Sequence, residues 1–114
     1  MLNVSVPLKY HTDQRVLRPL SCIGMGATAS QDKGGRIVWA VTDRTAEVTN
    51  PVDYREYDWS GDVTLCFGAD DEILADTDKI KPEHDVVTIP GLRHSLYLDQ
   101  AMAIILEHYR RNYM

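Results

Sequence analysis

Apolar and polar positions alternate at the start of the chain. In LNVSVPL, Leu2, Val4 and Val6 are separated by Asn3 and Ser5, the two-residue period of a half-buried strand. Pro7 has no amide proton to give a ladder and marks the end or edge of that strand. The period then lengthens. In QRVLRPLSCIGMG, Val16, Leu17, Leu20 and Ile23 share one side of a helix, with Asp13 placed to cap it. Pro19 requires that helix to be short, kinked, or begun near the proline.

Three later segments are almost continuously apolar: RIVWAVT at 36–42, VTLCFG at 63–68 and DVVTIP at 85–90. Such runs predict strands covered on both faces. The stretches between them, GMGATASQDKGG and DRTAEVTNPVDYREYDWSGD, are polar and rich in turn residues. ADDEILADTDKI is acidic and has room for a short helical turn. From Ser95 the helical period returns. Leu98, Ala101, Met102, Ile105 and Tyr109 form a stripe, and Gln100, Glu107, Arg110 and Arg111 face away. Ser95 or Asp99 can cap that helix. The order β-α-β-β-β-α predicts one α/β domain over residues 1–114, with a mainly parallel sheet and flanking helices.

Composition narrows the classes. Of 114 residues, 44% are hydrophobic and 25% charged, the balance of a globular domain rather than a disordered chain. No apolar run approaches the roughly 20 residues of a membrane helix. No basic-then-apolar leader opens the chain. The net charge of −5 argues against broad charge-driven nucleic-acid binding. A local basic patch from Arg15, Arg18, Arg93, Arg110 and Arg111 remains open. Cys22 and Cys66 both lie in apolar runs and read as buried free thiols of a cytoplasmic protein. The four histidines lack tight metal-ligand spacing. No P-loop or nucleophile elbow is present.

Two stretches carry candidate chemistry. CFGADDEIL ends a strand in Phe67-Gly68, at the edge of a parallel sheet where ligands of open α/β folds bind. Gly68 lets a ligand approach the main chain. Asp70, Asp71 and Glu72 can accept from ribose hydroxyls or attract a cation. The alternative is a solvated acidic turn. In TIPGLRHSL, Pro90 and Gly91 stiffen a turn that leads into a helix with free first-turn amides. Its backbone can hold a purine edge and a carboxylate, and Arg93 and His94 suit a phosphate or proton transfer. The alternative is a plain strand-to-helix connection.

Together, LCFGADDEIL and TIPGLRHSLYLDQAMAIILEHYRR resemble the carboxyl half of SPOUT-class RNA methyltransferases of the SpoU/TrmH branch. GGRIVWAVTDRTAEVTNPVDYREYDWSGDVTLCFG resembles the preceding segment, so the likeness covers residues 35–111. The amino-terminal match is fainter. The family's strand, its motif arginine and its Gly-Ala turn have counterparts in LNVSVPL, Arg18 and Gly24 or Gly26. The motif's asparagine and glycine fall on Thr12 and Gln14, and Arg15 is a competing arginine.

The resemblance implies a C-terminal trefoil knot and S-adenosylmethionine held by Phe67, Gly68, Asp70, Ile89, Pro90, Leu92 and Leu96. It implies a homodimer with the active site at the interface, and Arg18, Ser95 and Tyr97 as the catalytic group for ribose 2'-O-methylation of tRNA or rRNA. The sequence departs from the family at several places. Asp70 stands for a glutamate, Ile73 for a glycine, Tyr97 for an asparagine and Asp99 for a serine. A segment that the family carries between GATAS and GGRIV is missing. A catalytically inactive binding protein on the same scaffold, keeping an adenine-ligand pocket, is therefore the second expectation. Tyr97 discriminates, because a ring that filled the pocket would exclude the cofactor.

Overall fold

The computed structural model describes residues 1–28, 35–41, 50–68, 80–92 and 96–114. Its strands are β1 (Leu2–Ser5), β2 (Ala27–Thr28), β3 (Arg36–Ala40), β4 (Val52–Asp53), β5 (Val63–Cys66) and β6 (Asp85–Thr88). Its helices are α1 (Gln14–Cys22) and α2 (Leu98–Tyr113), with one 3-10 turn at Leu8–Tyr10. The strands form one sheet in the order β2-β1-β5-β3-β6-β4, and every described pairing is parallel. The expected α/β class with a parallel sheet is therefore observed. β2 and β4 were not anticipated. Each is two residues long at an outer edge of the sheet, too short to leave a period in the sequence.

β5 lies at the centre and all four of its residues are buried. Leu2 pairs with Val63 and Ser5 with Cys66 on one side; Arg36 pairs with Val63 and Trp39 with Cys66 on the other. The pleat divides its side chains. Val63 and Leu65 join the main core with Leu2, Val4, Val6, Val38 and Val87, beneath Val16 and Leu20 of α1 and Met102 and Ile105 of α2. Cys66 joins a smaller cluster on the opposite face with Trp39 and Val41. Burying a side chain such as Leu65 completely stabilises the fold by about 1.5–3 kcal/mol.

Asp13 caps α1 as expected, accepting from the amide of Arg15 at 2.9 Å. Pro19 sits inside this nine-residue helix, so the short-helix alternative holds. On α2 the stripe Leu98, Met102, Ile105 and Tyr109 is buried. The cap differs from expectation. Tyr97 occupies the N-cap, Asp99 lies in the first turn, and the side-chain carbonyl of Gln100 accepts from the Tyr97 amide at 3.1 Å. A glutamine three residues into a helix can satisfy an amide there as well as a capping hydroxyl can. Ser95 lies outside the described residues. Tyr109 is in the core and stacks on Tyr113 with ring centroids 5.5 Å apart. Cys22 is exposed rather than buried, while Cys66 is a buried free thiol.

Between β4 and β5 the chain crosses the helix-bearing face. The Trp59 indole donates to the carbonyl of Tyr54 at 2.9 Å, and its ring meets Tyr57 edge-on at 4.8 Å. Among the described residues, no helix is long and apolar enough to cross a membrane.

Gly35 precedes β3 with φ +77°, and a Cβ there would meet the Asp62 carbonyl oxygen at 2.1 Å. Gly24, with φ +75°, has open space where a Cβ would stand. Gly24→Ala is expected to lose about 1–2 kcal/mol, the cost of a left-handed backbone. Gly35→Ala must add a backbone collision to that cost and lose more. Urea unfolding of both variants measures the difference, and equal losses would contradict the close approach.

Candidate functional site

A parallel sheet puts all its strand ends on one edge, and the predicted site residues sort by that geometry. β5 ends at Cys66, so Phe67 and Gly68 emerge at the carboxyl edge. β6 ends at Thr88, so Ile89, Pro90 and Gly91 emerge at the same edge. The two strands flank β3. Their ends are thus two strand spacings apart, about 10 Å. This is the carboxyl edge of an open α/β sheet, the side such folds use for ligands.

Hydrogen bonds fix the strand ends at this edge. The Val41 amide donates to the Val87 carbonyl at 3.0 Å, and the Thr88 hydroxyl donates to the Val41 carbonyl at 3.1 Å. The end of β3 is thereby tied to β6. On the other side the Phe67 amide donates to the Ser5 carbonyl at 3.0 Å. His11 Nε2 lies 3.2 Å from the Val6 carbonyl oxygen, fixing the chain as it leaves β1. Thr88 and His11 are edge residues that sequence reasoning did not place there. Their partners are 47 and 5 residues away, and only the first separation defeats a local reading.

The predicted cofactor residues differ in what they can offer. Phe67 is buried with its ring in the core, and its amide is already used, which leaves its carbonyl. Gly68, Ile89, Leu92 and Leu96 are half-buried, and Pro90 is exposed. Asp70 and Ser95 lie outside the described residues, as do Arg93 and His94. Tyr97 is 62% exposed, so its ring is not packed into the core. Arg18 stands exposed in the second turn of α1. No described hydrogen bond or ion pair joins it to the two loops.

Of the expected basic patch, Arg15 and Arg110 are ion-paired and Arg93 lies outside the described residues; Arg55, outside that patch, is paired too. Arg15 binds Asp13 at 3.0 Å, Arg55 binds Asp53 at 2.7 Å, and Arg110 binds Glu107 at 2.8 Å. Hydrogen bonding from those guanidinium groups holds Asp13, Asp53 and Glu107 below the usual carboxylate range. Arg111 also reaches Glu107, at 4.0 Å. Arg18 makes no ion pair among the described residues. No group of three or more His, Cys, Asp or Glu residues that could hold a metal is found among them either.

No protein-family model matches the sequence, and no curated protein matches it.

Burial pushes the Cys66 thiol up to about 12, against a smaller downward pull from a hydrogen bond with Ser5. Burial and the hydrogen bond to Asp85 also push the Tyr57 phenol up. Each folded-state group keeps its proton where the unfolded chain would lose it. Their contribution to stability is therefore full below the unfolded values of 9.0 and 10.0 and declines as pH rises above them. Iodoacetamide at pH 8 is expected to label the native protein once, at Cys22. Two rapid additions on the intact mass would contradict the burial of Cys66.

Proposed function

We propose that the chain is a shortened SPOUT-class protein that binds S-adenosylmethionine at the carboxyl edge of its sheet and methylates ribose 2'-hydroxyls of tRNA or rRNA. The observation that carries this reading is positional. The two stretches with the family resemblance, CFG at the end of β5 and TIPG at the end of β6, come out at one edge on strands two apart. A cofactor lying between them would meet main-chain groups on both sides. The exposure of Tyr97 supports the same reading, since the substituted side chain is not packed into the protein. The reading carries with it a C-terminal trefoil knot, with α2 threaded through a loop.

Methyl transfer of this kind needs a donor in line with the oxygen and a group that orients or deprotonates that oxygen. Arg18 is the group we assign to it. Its guanidinium is exposed on α1 and has no ion pair among the described residues, so it can meet a partner. A homodimer would bring it to the site of the other copy, with Ser95 and Tyr97 alongside the substrate.

One observation favours the second reading, an inactive binding protein on the same scaffold. Arg15, Arg55 and Arg110 are each held by a neighbouring carboxylate, which lowers the positive charge these three offer an RNA backbone.

Calorimetric titration with S-adenosylmethionine and S-adenosylhomocysteine separates these possibilities. Micromolar binding of both is expected, and no heat from folded protein would remove the cofactor site. Arg18→Ala is expected to abolish methyl transfer to RNA while leaving cofactor affinity within about twofold, because Arg18 acts on the substrate oxygen. Undiminished transfer in that variant would end its assignment. Cofactor binding by the wild-type protein without any transfer would favour the inactive reading.

A further inference from the structure

The amino edge of the sheet carries a separate cavity. Gly35, Arg36 and Ile37 at the start of β3, and Lys81, Glu83, His84 and Asp85 at the start of β6, line an open cavity of about 650 Å³. That is within the usual size of small-molecule sites. Its side chains are held by two separate sets of hydrogen bonds, one around Trp39 and one around Tyr57. The His84 Nδ1 accepts from the Trp39 indole at 3.1 Å and from the Lys81 amide at 3.2 Å. A ring nitrogen that accepts carries no proton, so the proton sits on Nε2. With Nδ1 engaged by Trp39 and Lys81, Nε2–H is the ring donor left for the cavity. Arg36 donates to the Ser60 carbonyl at 2.5 Å and lies 3.4 Å from the Tyr57 hydroxyl. The Tyr57 hydroxyl donates to Asp85 at 2.6 Å.

Two carboxylates share the cavity, and they are not equivalent. Asp85 is engaged by the Tyr57 phenol, whereas Glu83 is exposed. On the positive side, neither Arg36 nor Lys81 makes an ion pair among the described residues. Arg36, Lys81 and the Nε2–H of His84 thus supply three donors of different geometry. From this arrangement we propose that the cavity binds a phosphomonoester, its three terminal oxygens meeting Arg36, Lys81 and His84. Glu83 opposes the anion. The site is remote from the carboxyl-edge crevice and does not depend on the methyltransferase reading.

The two tryptophans supply the test. The Trp39 indole proton is bonded to the His84 ring, while the Trp59 indole proton is bonded to the Tyr54 carbonyl. The full-length protein, labelled with nitrogen-15, would be titrated with inorganic phosphate and with adenosine 5'-monophosphate. Trp39→Phe assigns the two indole signals. A saturable shift of the Trp39 indole, larger than that of Trp59, is expected. Whichever ligand saturates at the lower concentration shows whether groups beyond the phosphate are read. Lys81→Ala should weaken binding roughly tenfold by removing one charge-assisted contact, and Glu83→Gln should tighten it. No saturable shift with either ligand would overturn the proposal. So would parallel movement of both indoles, or a Lys81→Ala protein that titrates like the wild type.

Discussion

β5 is hydrogen-bonded along both sides and buried on both faces, and the rest of the molecule takes its register from it. A one-residue slip would exchange Leu65 with Cys66 or Thr64 across the sheet. Leu65 would leave the core beneath the helices, and a polar hydroxyl or thiol would enter it. Because β1 and β3 both pair with β5, their ends are aligned to each other through it. The positions of Phe67, Val41 and Ile89 relative to one another follow from that single alignment.

This arrangement gives the two edges of the sheet different chemistry. At the carboxyl edge the main chain is the material on offer: carbonyls and amides of turns, a glycine and a proline, with few described charges. At the amino edge the offer is side chains, with guanidinium, ammonium, imidazole and carboxylate groups held by phenol and indole. A main-chain site selects for shape and for the pattern of donors and acceptors on a neutral ring. A side-chain site selects for charge.

What the sequence disclosed depended on the range of the interaction. The stripe from Leu98 to Tyr109 was legible because helical packing repeats every few residues, and the Asp13 cap because its partner is two residues away. The strands at 36–40, 63–66 and 85–88 announced themselves as apolar runs. Their order in the sheet did not, since nothing local records that β5 inserts between β1 and β3. The bonds of Trp39 to His84 and Tyr57 to Asp85 span 45 and 28 residues, and no spacing rule points to either. The carboxyl-edge stretches could be picked out as strand ends with turn residues, but their assignment to a cofactor came from a family resemblance. The burial of Cys66 was legible as an apolar strand position. The exposure of Cys22, at the end of a helix, was not.

The strand order also bears on how the chain reaches this state. β1 pairs with β2, which follows closely, but its other side waits for β5. Among the described residues β3 pairs with β5 and β6, both later in the chain. A growing polypeptide that has just completed β3 therefore has neither of these described partners to receive it. The sheet closes when β5 arrives, which joins distant segments in one event and carries the loop-closure cost of non-local pairing. Until then RIVWAVT is an apolar run with two open sides, the kind of segment most exposed to association with other chains. The insertion that organises the finished molecule is thus also the step at which its synthesis is most vulnerable.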